Sequence, residues 1–383
     1  MAIRMSFEEA RKVIISRQFP DKCKSVAEIV GRIGYVQIDT ISIVERAHHH
    51  VLWSRLKNYS RPMLDKALQN EKSIFEYWSH AAAFLPVHHY RFTLPRKERY
   101  ANKYRQWISA NRKLVRHIID RIRAEGPLSS RDFEGKREGG AGWWNHKPAK
   151  QALEVLFHAG ELMVESRRGF AKYYVLPEKI LPEGVSTSMP GNREYLKHII
   201  TTAVISNGMA TDKQILYLRR EPTEEFAKAM NELIESGDIV NVAIGKDRIL
   251  HRTTHEALNS AHRSKRSKVR ILSPFDNLII QRDRLSKLFG YTYSLECYLP
   301  VHKRRFGYYC LPVLKGDEFI GMIDCKAHRD RKEFEVISEY PEGMKLNEFR
   351  ETVNDELNAL AGFAGCVRIE RAKSGRKRGY SPP

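Results

Sequence analysis

One order of elements, written more than once, constrains this chain more than any other feature. NRKLVRHIIDRIRAE (111–125) places Leu114, Val115, Ile118, Ile119 and Ile122 at helical spacing. Gly126-Pro127 ends that helix, and Ser129 or Ser130 can cap a short one at RDFEG. After a glycine-rich loop, KPAKQALEVLFHAG predicts a helix with Pro148 in its first turn and Gly160 at its end. ELMVESRRGFAKYYVL then predicts two short strands about the turn Arg168-Gly169. Helix, short helix, helix and hairpin make a winged helix-turn-helix. The grammar returns about eighty residues later. NREYLKHIITTAVISNG stops at Gly208, Thr211 caps DKQILYLRR, and EEFAKAMNELIESG leads into DIVNVAIG and DRILH. Ala152 aligns with Ala229, Leu156 with Leu233, Phe157 with Ile234, Gly160 with Gly237 and Leu162 with Ile239. These are core positions plus a helix stop, which a repeated fold must keep.

The N-terminal segment is a looser third copy. SFEEARKVIISRQF and VAEIVGRIG are helical, Ser60-Arg61-Pro62 opens LDKALQNE, and SIFEYWSHAAAFLP supplies two strand-like runs. A basic linker, HRSKRSKVR (262–270), marks a change of character. Beyond it RFGYYCLPVL, EFIGMID and EFEVISEY read as strands, followed by the helix LNEFRETVNDELNALAGFAG and the short strand CVRIE. The expected fold is α+β: winged helices over 1–110, 111–185 and 186–262, then a barrel-like β-rich domain over 268–371. The basic tail, 372–383, is expected to be disordered.

Charge narrows the function. The chain carries 66 Lys+Arg against 46 Asp+Glu, a net +20, which points to a polyanionic partner. Winged helices favour double-stranded DNA over RNA, because their recognition helix suits the B-form major groove. The same fold also serves in protein–protein modules and in non-catalytic DNA-binding regulators or architectural proteins. No stretch approaches the roughly 20 apolar residues of a membrane span. MAIRMSFEEARKVI carries no apolar leader core, so a cytoplasmic, nucleoid-associated protein is expected, with no membrane partner. The five cysteines (Cys23, Cys297, Cys310, Cys325, Cys366) form no C-x-x-C pair, so neither a zinc ribbon nor a disulfide framework is expected.

Enzyme and binder part company at Tyr35-Val36-Gln37-Ile38-Asp39-Thr40. In an extended chain Val36 and Ile38 would enter the core, with Gln37 and Asp39 about 6–7 Å apart on the other face. A carboxylate and a carboxamide so placed can hold one water; the alternative is an ordinary exposed strand face. Glycoside hydrolysis normally pairs two carboxyl groups, one of which protonates the leaving oxygen. Gln37 cannot donate a proton in that way. Such a site needs a leaving group already activated, and an N7-alkylated purine qualifies, because its positive charge is discharged when the glycosidic bond breaks. Asp39 would stabilise the oxocarbenium-like sugar and take a proton from the attacking water.

VQIDTISIVERA, LWSRL, EYWSHAAAFLP, GGAGWWNHKPAKQALEVLFHAGELMV, LSPFDNLI and KRRFGYYCLPVL together resemble the crosslink-repair winged-helix DNA glycosylases, the YcaQ-like family. The resemblance runs from about Met5 to Glu370. It implies three winged helices plus a β-barrel, and a glutamine–hydrophobic–aspartate active-site triplet falling on Gln37, Ile38 and Asp39. It further implies a monofunctional glycosylase that excises N7-alkylguanine and unhooks interstrand crosslinks at an open, concave site. No cofactor or metal and a monomeric state are expected. Candidate DNA-contacting residues are Arg46, His48, Trp78, His80, Arg167, Arg168, Lys303, Arg304 and Arg305. His80 can instead be a satisfied, partly buried histidine, and Trp143-Trp144 either stack on DNA or anchor a loop. His48-His49-His50 read as surface or phosphate-facing histidines rather than metal ligands. No lysine stands out as a desolvated Schiff-base nucleophile.

Overall fold

The computed structural model describes residues 2–20, 23–133, 146–246, 249–260 and 268–372. Trp143-Trp144, most of the basic linker and nearly all of the tail lie outside the described residues. The chain divides into two compact units, one made of Met1–Lys24, Arg32–Tyr59 and Ile199–Pro383, the other of Ser25–Gly31 and Ser60–His198. No helix among the described residues is long and apolar enough to cross a membrane.

In the first unit the helix Phe7–Gln18 opens on a capping box. Ser6 Oγ accepts from the Glu9 N–H at 3.2 Å, and the Glu9 carboxylate accepts from the Ser6 N–H at 2.7 Å. Its apolar face (Ala10, Val13, Ile14, Ile15) enters a core with Met209, Val242, Leu285 and Tyr291. Just before this helix, Ile3–Met5 pairs in parallel with Val240–Ile244, which pairs antiparallel with Leu250–Thr253. That first strand was not expected: its partner lies far along the chain, and three residues carry no alternation to read.

The helices Asn192–Asn207, Asp212–Ile215 and Thr223–Glu235 precede this hairpin in the expected order. Thr211 caps the middle one in a box with Gln214, but that helix is one turn long rather than running through YLRR. Leu218 has a φ of 54°, a left-handed value that an α-helix cannot contain. Ala210 and Arg252 bridge the stretch after the first helix to the hairpin, with N···O distances of 3.0 and 2.7 Å.

The C-terminal part is a five-stranded sheet ordered Arg368–Arg371, Glu333–Pro341, Glu318–His328, Cys310–Lys315, Val269–Ile271. The order is linear, so among the described residues the sheet has two edges and no barrel closure. Phe349, Val353, Leu357 and Leu360 of the helix Leu346–Phe363 cover one face, giving the sheet a core without curling onto itself. Gly321 is required in the strand Glu318–His328: a Cβ there would lie 2.2 Å from the Tyr340 carbonyl oxygen.

Two charged side chains are sunk in the middle of this unit. Arg55 and Asp276 are both fully buried and meet bidentately at 2.6 and 2.7 Å. Arg55 also donates to the Gln18 carbonyl at 2.9 Å and lies 4.4 Å over the Phe19 ring. Asp276 further accepts from the Leu278 N–H at 2.9 Å.

The second unit holds the hairpin Ile74–Trp78/Ala82–Pro86 and, further on, the helices Leu94–Lys103, Arg112–Glu125 and His146–Ala159. The hairpin Met163–Arg168/Ala171–Val175 follows. Leu128 bridges Tyr174 at 3.1 and 2.7 Å, the counterpart of the Ala210–Arg252 bridge. Lys97 departs from expectation. It is only 4% exposed, with Nζ 3.8 Å from the Tyr90 ring centroid and 4.9 Å from that of Tyr77. Burial pushes its amine down to about 7. Its neighbours in PRKERY read as a solvent face, so nothing in the sequence marked it. Against two tyrosine rings it is desolvated.

Two stability measurements follow. Asp276→Ala or Arg55→Met should each cost about 3–5 kcal/mol, because each strands a buried charge. The double variant should lose less than the two together, read from urea midpoints. For Lys97, the unfolded chain holds a proton that the folded chain releases between pH 7 and the ordinary 10.5, so stability rises with pH across that window. Lys97→Met should therefore raise Tm at pH 7, with the advantage shrinking towards pH 10.5. A difference independent of pH would show that the amine is not desolvated.

Candidate active site

The strand carrying the triplet is shorter than alternation predicted. Only Val36–Gln37 is regular, and the chain leaves the strand before Asp39. Val36 and Ile38 are buried as expected, but so is Gln37, at 7% exposure. Asp39 is half-buried, and its Oδ1 accepts from the Ile41 N–H at 2.8 Å, a side-chain turn that ends the extended run. Burial raises its carboxyl above the usual aspartate range, against the opposing hydrogen bonds from the Ile41 and Thr40 backbone.

Both flanks of this turn are pinned. Upstream, the Asn277 amide donates to the carbonyls of Ile33 and Tyr35 at 3.1 and 3.0 Å. Arg284, itself buried, donates to the Asn277 carbonyl at 2.9 Å. Downstream, the Ala327 N–H donates to the Ile43 carbonyl at 2.9 Å, and Arg329 donates to the carbonyls of Ser42 and Val44.

A second segment comes close to Asp39. Burial, and next the Asp39 charge, push the Cys297 thiol up to about 11. The Tyr298 phenol is raised by burial, by Cys297 and by Asp39. The Tyr309 phenol, fully buried, is raised by burial and by Asp39, with the Ser273 hydroxyl opposing. Carboxylates hold this segment in shape. Glu296 accepts from the N–H groups of Phe306 and Gly307 at 2.9 and 3.2 Å. Asp324 accepts from the Tyr309 and Tyr308 backbone; its burial pushes the carboxyl up to about 6. Cys297 and Tyr298 did not stand out in the sequence, because the alternation of YTYSL breaks down at ECYLP, which has neither helical nor strand period.

The other candidates separate. Lys303 and Arg305 are exposed on the same segment; Arg304 is half-buried, stacked 4.8 Å from the Tyr308 ring and donating to the Leu299 carbonyl. Arg46 precedes the helix Ala47–Trp53, its N–H donating to the Glu45 carboxylate at 2.9 Å. His48 and His50 are buried rather than on the surface, and His50 Nε2 lies 2.8 Å from the Ile271 carbonyl oxygen. His49 Nδ1 is 2.7 Å from the Tyr59 hydroxyl. Among the described residues no group of three His, Cys, Asp or Glu could hold a metal.

Trp78, His80, Arg167 and Arg168 belong to the second unit. Trp78 lies under Arg96 and 5.3 Å from the His158 ring; His80 is half-buried in the hairpin turn. Tyr77 faces the opposite way, buried, donating to the His158 carbonyl at 2.7 Å. Arg168 is exposed beside the turn at Gly169 and stacks 4.4 Å from Tyr173. Arg167 is otherwise engaged: it pairs bidentately with buried Glu76 at 2.7 Å on both oxygens. Its charge neutralises a core carboxylate instead of meeting phosphate.

A family model for AlkZ-like DNA glycosylases matches residues 30–363, spanning the triplet, its anchors and the segment around Tyr298. The chain belongs to the AlkZ-like DNA glycosylase family. It is similar in fold to the Streptomyces sahachiroi DNA glycosylase AlkZ, with a TM-score of 0.63 at 16% identity, over 97% of this chain and all of that one. The α+β architecture is thus that of an AlkZ-like DNA glycosylase.

The proximity of Asp39 to Cys297 is measurable in this glycosylase. Asp39→Asn removes the charge that helps hold the thiol protonated, so iodoacetamide should label Cys297 a few-fold faster at pH 8. Labelling of the half-exposed Cys23 should not change, as peptide mass spectrometry would read. An unchanged Cys297 rate would place the carboxylate elsewhere.

Proposed function

We propose that this AlkZ-like DNA glycosylase hydrolyses the N-glycosidic bond of N7-alkylated purines in duplex DNA, and unhooks interstrand crosslinks made at that position, with Asp39 and Gln37 as its catalytic pair. One observation carries the reading. The groups within reach of the Asp39 charge (Cys297, Tyr298, Tyr309) are all held protonated, with the thiol pushed up to about 11 and both phenols raised. None releases a proton readily near neutral pH. Acids this weak would protonate a departing base slowly, which favours a purine already positively charged at N7. Asp39 faces the electron-poor sugar, and its raised basicity suits it to draw a proton from water. Gln37 positions that water through its amide. Attack of water leaves an intact abasic site and a neutral alkylpurine, so the enzyme is monofunctional. It acts as a monomer, on double-stranded DNA.

The helix–short helix–helix–hairpin segments and their matched bridges support reading the first three quarters as tandem winged helices, over 1–110, 111–185 and 186–262. Arg168, Lys303 and Arg305 are the exposed cations that meet phosphate.

Asp39→Asn should lower single-turnover excision of N7-methylguanine by about 100-fold or more, the scale of a lost catalytic base, with DNA binding little changed. Gln37→Ala should cost less, and the double variant less than the sum, because both act on one water. After subtraction of acid-catalysed base loss, wild-type activity should fall as pH drops through a value above the ordinary 3.8. Wild-type excision by Asp39→Asn, alongside retained duplex binding, would place the catalytic carboxylate elsewhere and overturn this assignment.

A further inference from the structure

The segment around Tyr298 lies near Asp39, since Ile41 and Ile43 just beyond Asp39 and Leu295 and Tyr308 of this segment pack against one core, and it carries an unusual surface. Tyr298 is 74% exposed, and Leu299 and Val301 beside it are also exposed. Burying such a ring would be favourable, yet the chain holds it out in water. It is also held there rigidly. The Leu299 N–H donates to the Glu296 carbonyl at 2.9 Å, closing a turn with Tyr298 at its tip. Arg304 Nε donates to the Leu299 carbonyl at 2.9 Å, and the Glu296 carboxylate grips Phe306 and Gly307 from below. A ring presented on a braced turn loses little entropy when a flat partner lands on it. The Asp39 charge reaches this ring and the Cys297 thiol next to it. The partner must therefore be a flat group that comes to Asp39.

We propose that Tyr298 is a specificity-determining residue of this site, its ring stacking on the cationic N7-alkylated purine whose glycosidic bond faces Asp39. The inference rests on Asp39 being the catalytic carboxylate. A positive purine gains from the negative face of the phenol ring, whereas the neutral base released by hydrolysis does not. The ring thus favours the charged lesion over undamaged purines and holds the product less tightly. Stacking needs only a π-face, so it tolerates whatever alkyl group or tether leaves N7.

The experiment compares Tyr298→Ala, Tyr298→Leu and Tyr298→Phe. Single-turnover excision of N7-methylguanine from a duplex should fall roughly tenfold for Ala and Leu, on the scale of a desolvated cation–π contact, and stay near wild type for Phe. Binding is measured in the Asp39→Asn background, with one duplex holding N7-methylguanine and another its neutral isostere, 7-methyl-7-deazaguanine. Tyr298→Ala should weaken the first roughly tenfold and leave the second nearly unchanged. Wild-type excision by Tyr298→Ala, rescue by Leu as complete as by Phe, or equal loss of affinity for both duplexes would each overturn the proposal. If Asp39→Asn alone excises at the wild-type rate, it is the catalytic assignment that fails, whatever the Tyr298 variants do.

Discussion

The buried pair between Arg55 and Asp276 is the interaction on which the first unit turns. Neither side chain has any exposure, so each depends on the other for its charge to be tolerated. Arg55 stands just beyond the helix Ala47–Trp53, while Asp276 lies in the SPFDN turn beyond Val269–Ile271. Their bidentate contact fastens the chain after the Asp39 turn to the C-terminal part. The residue after Asp276 is Asn277, whose amide holds the carbonyls of Ile33 and Tyr35. A salt bridge more than two hundred positions long in sequence thereby fixes where Val36–Gln37 ends and where Asp39 begins. A hydrophobic replacement could equal it in stability, but not in dictating which backbone carbonyls Asn277 meets.

From that anchor the electrostatics of the site follow. Asp39 is withdrawn from water far enough to become more basic, while hydrogen bonds from two backbone N–H groups oppose that rise. The braced segment opposite holds a thiol and two phenols in their neutral forms. The Glu296 and Asp324 carboxylates do not face the reaction in this arrangement; they are consumed in shaping the backbone from Phe306 to Tyr309. Exposed Lys303 and Arg305 supply positive charge on the same segment. Charge is thus divided by place, with Lys303 and Arg305 exposed and the Asp39 carboxylate half-buried, as the proposed roles of phosphate contact and attack at the sugar would need.

What the sequence disclosed was what local chemistry writes. Capping by Thr211, the stops at Gly160 and Gly208, the hairpin at Arg168-Gly169 and the buried alternation of Val36 and Ile38 are decided by residues within a few positions. What it withheld depends on partners distant in sequence. Arg167 looks like a phosphate ligand until Glu76, ninety-one positions away, accepts from two of its nitrogens and the Phe170 carbonyl from the third. His50 looks exposed in a run of three histidines until the Ile271 carbonyl claims it. Lys97 and Ile3–Met5 are of the same kind. At the candidate site Gln37 and Asp39 are singled out by the family resemblance, since their strand-face spacing alone also fits an ordinary exposed face, whereas Cys297 and Tyr298 are not, because a turn of Cys, Tyr and Leu carries no pattern.

Among the described residues, the groups whose ionisation the Asp39 charge shifts (Cys297, Tyr298, Tyr309) are weak acids, and that bears on how open such a site can be. A glycosylase that must protonate its leaving base has to enclose that base, since a general acid acts only at hydrogen-bond range. Where the base leaves already charged, the protein needs to reach only the sugar and the attacking water. The far edge of the purine is then free to carry a bulky substituent, including a tether to the opposite strand. A half-buried carboxylate on a pinned turn, opposite a rigid exposed ring, meets that requirement with surface rather than depth. On the proposed function, tolerance of crosslinks and reliance on a cationic leaving group would be one property of a site whose carboxylate has weakly acidic neighbours.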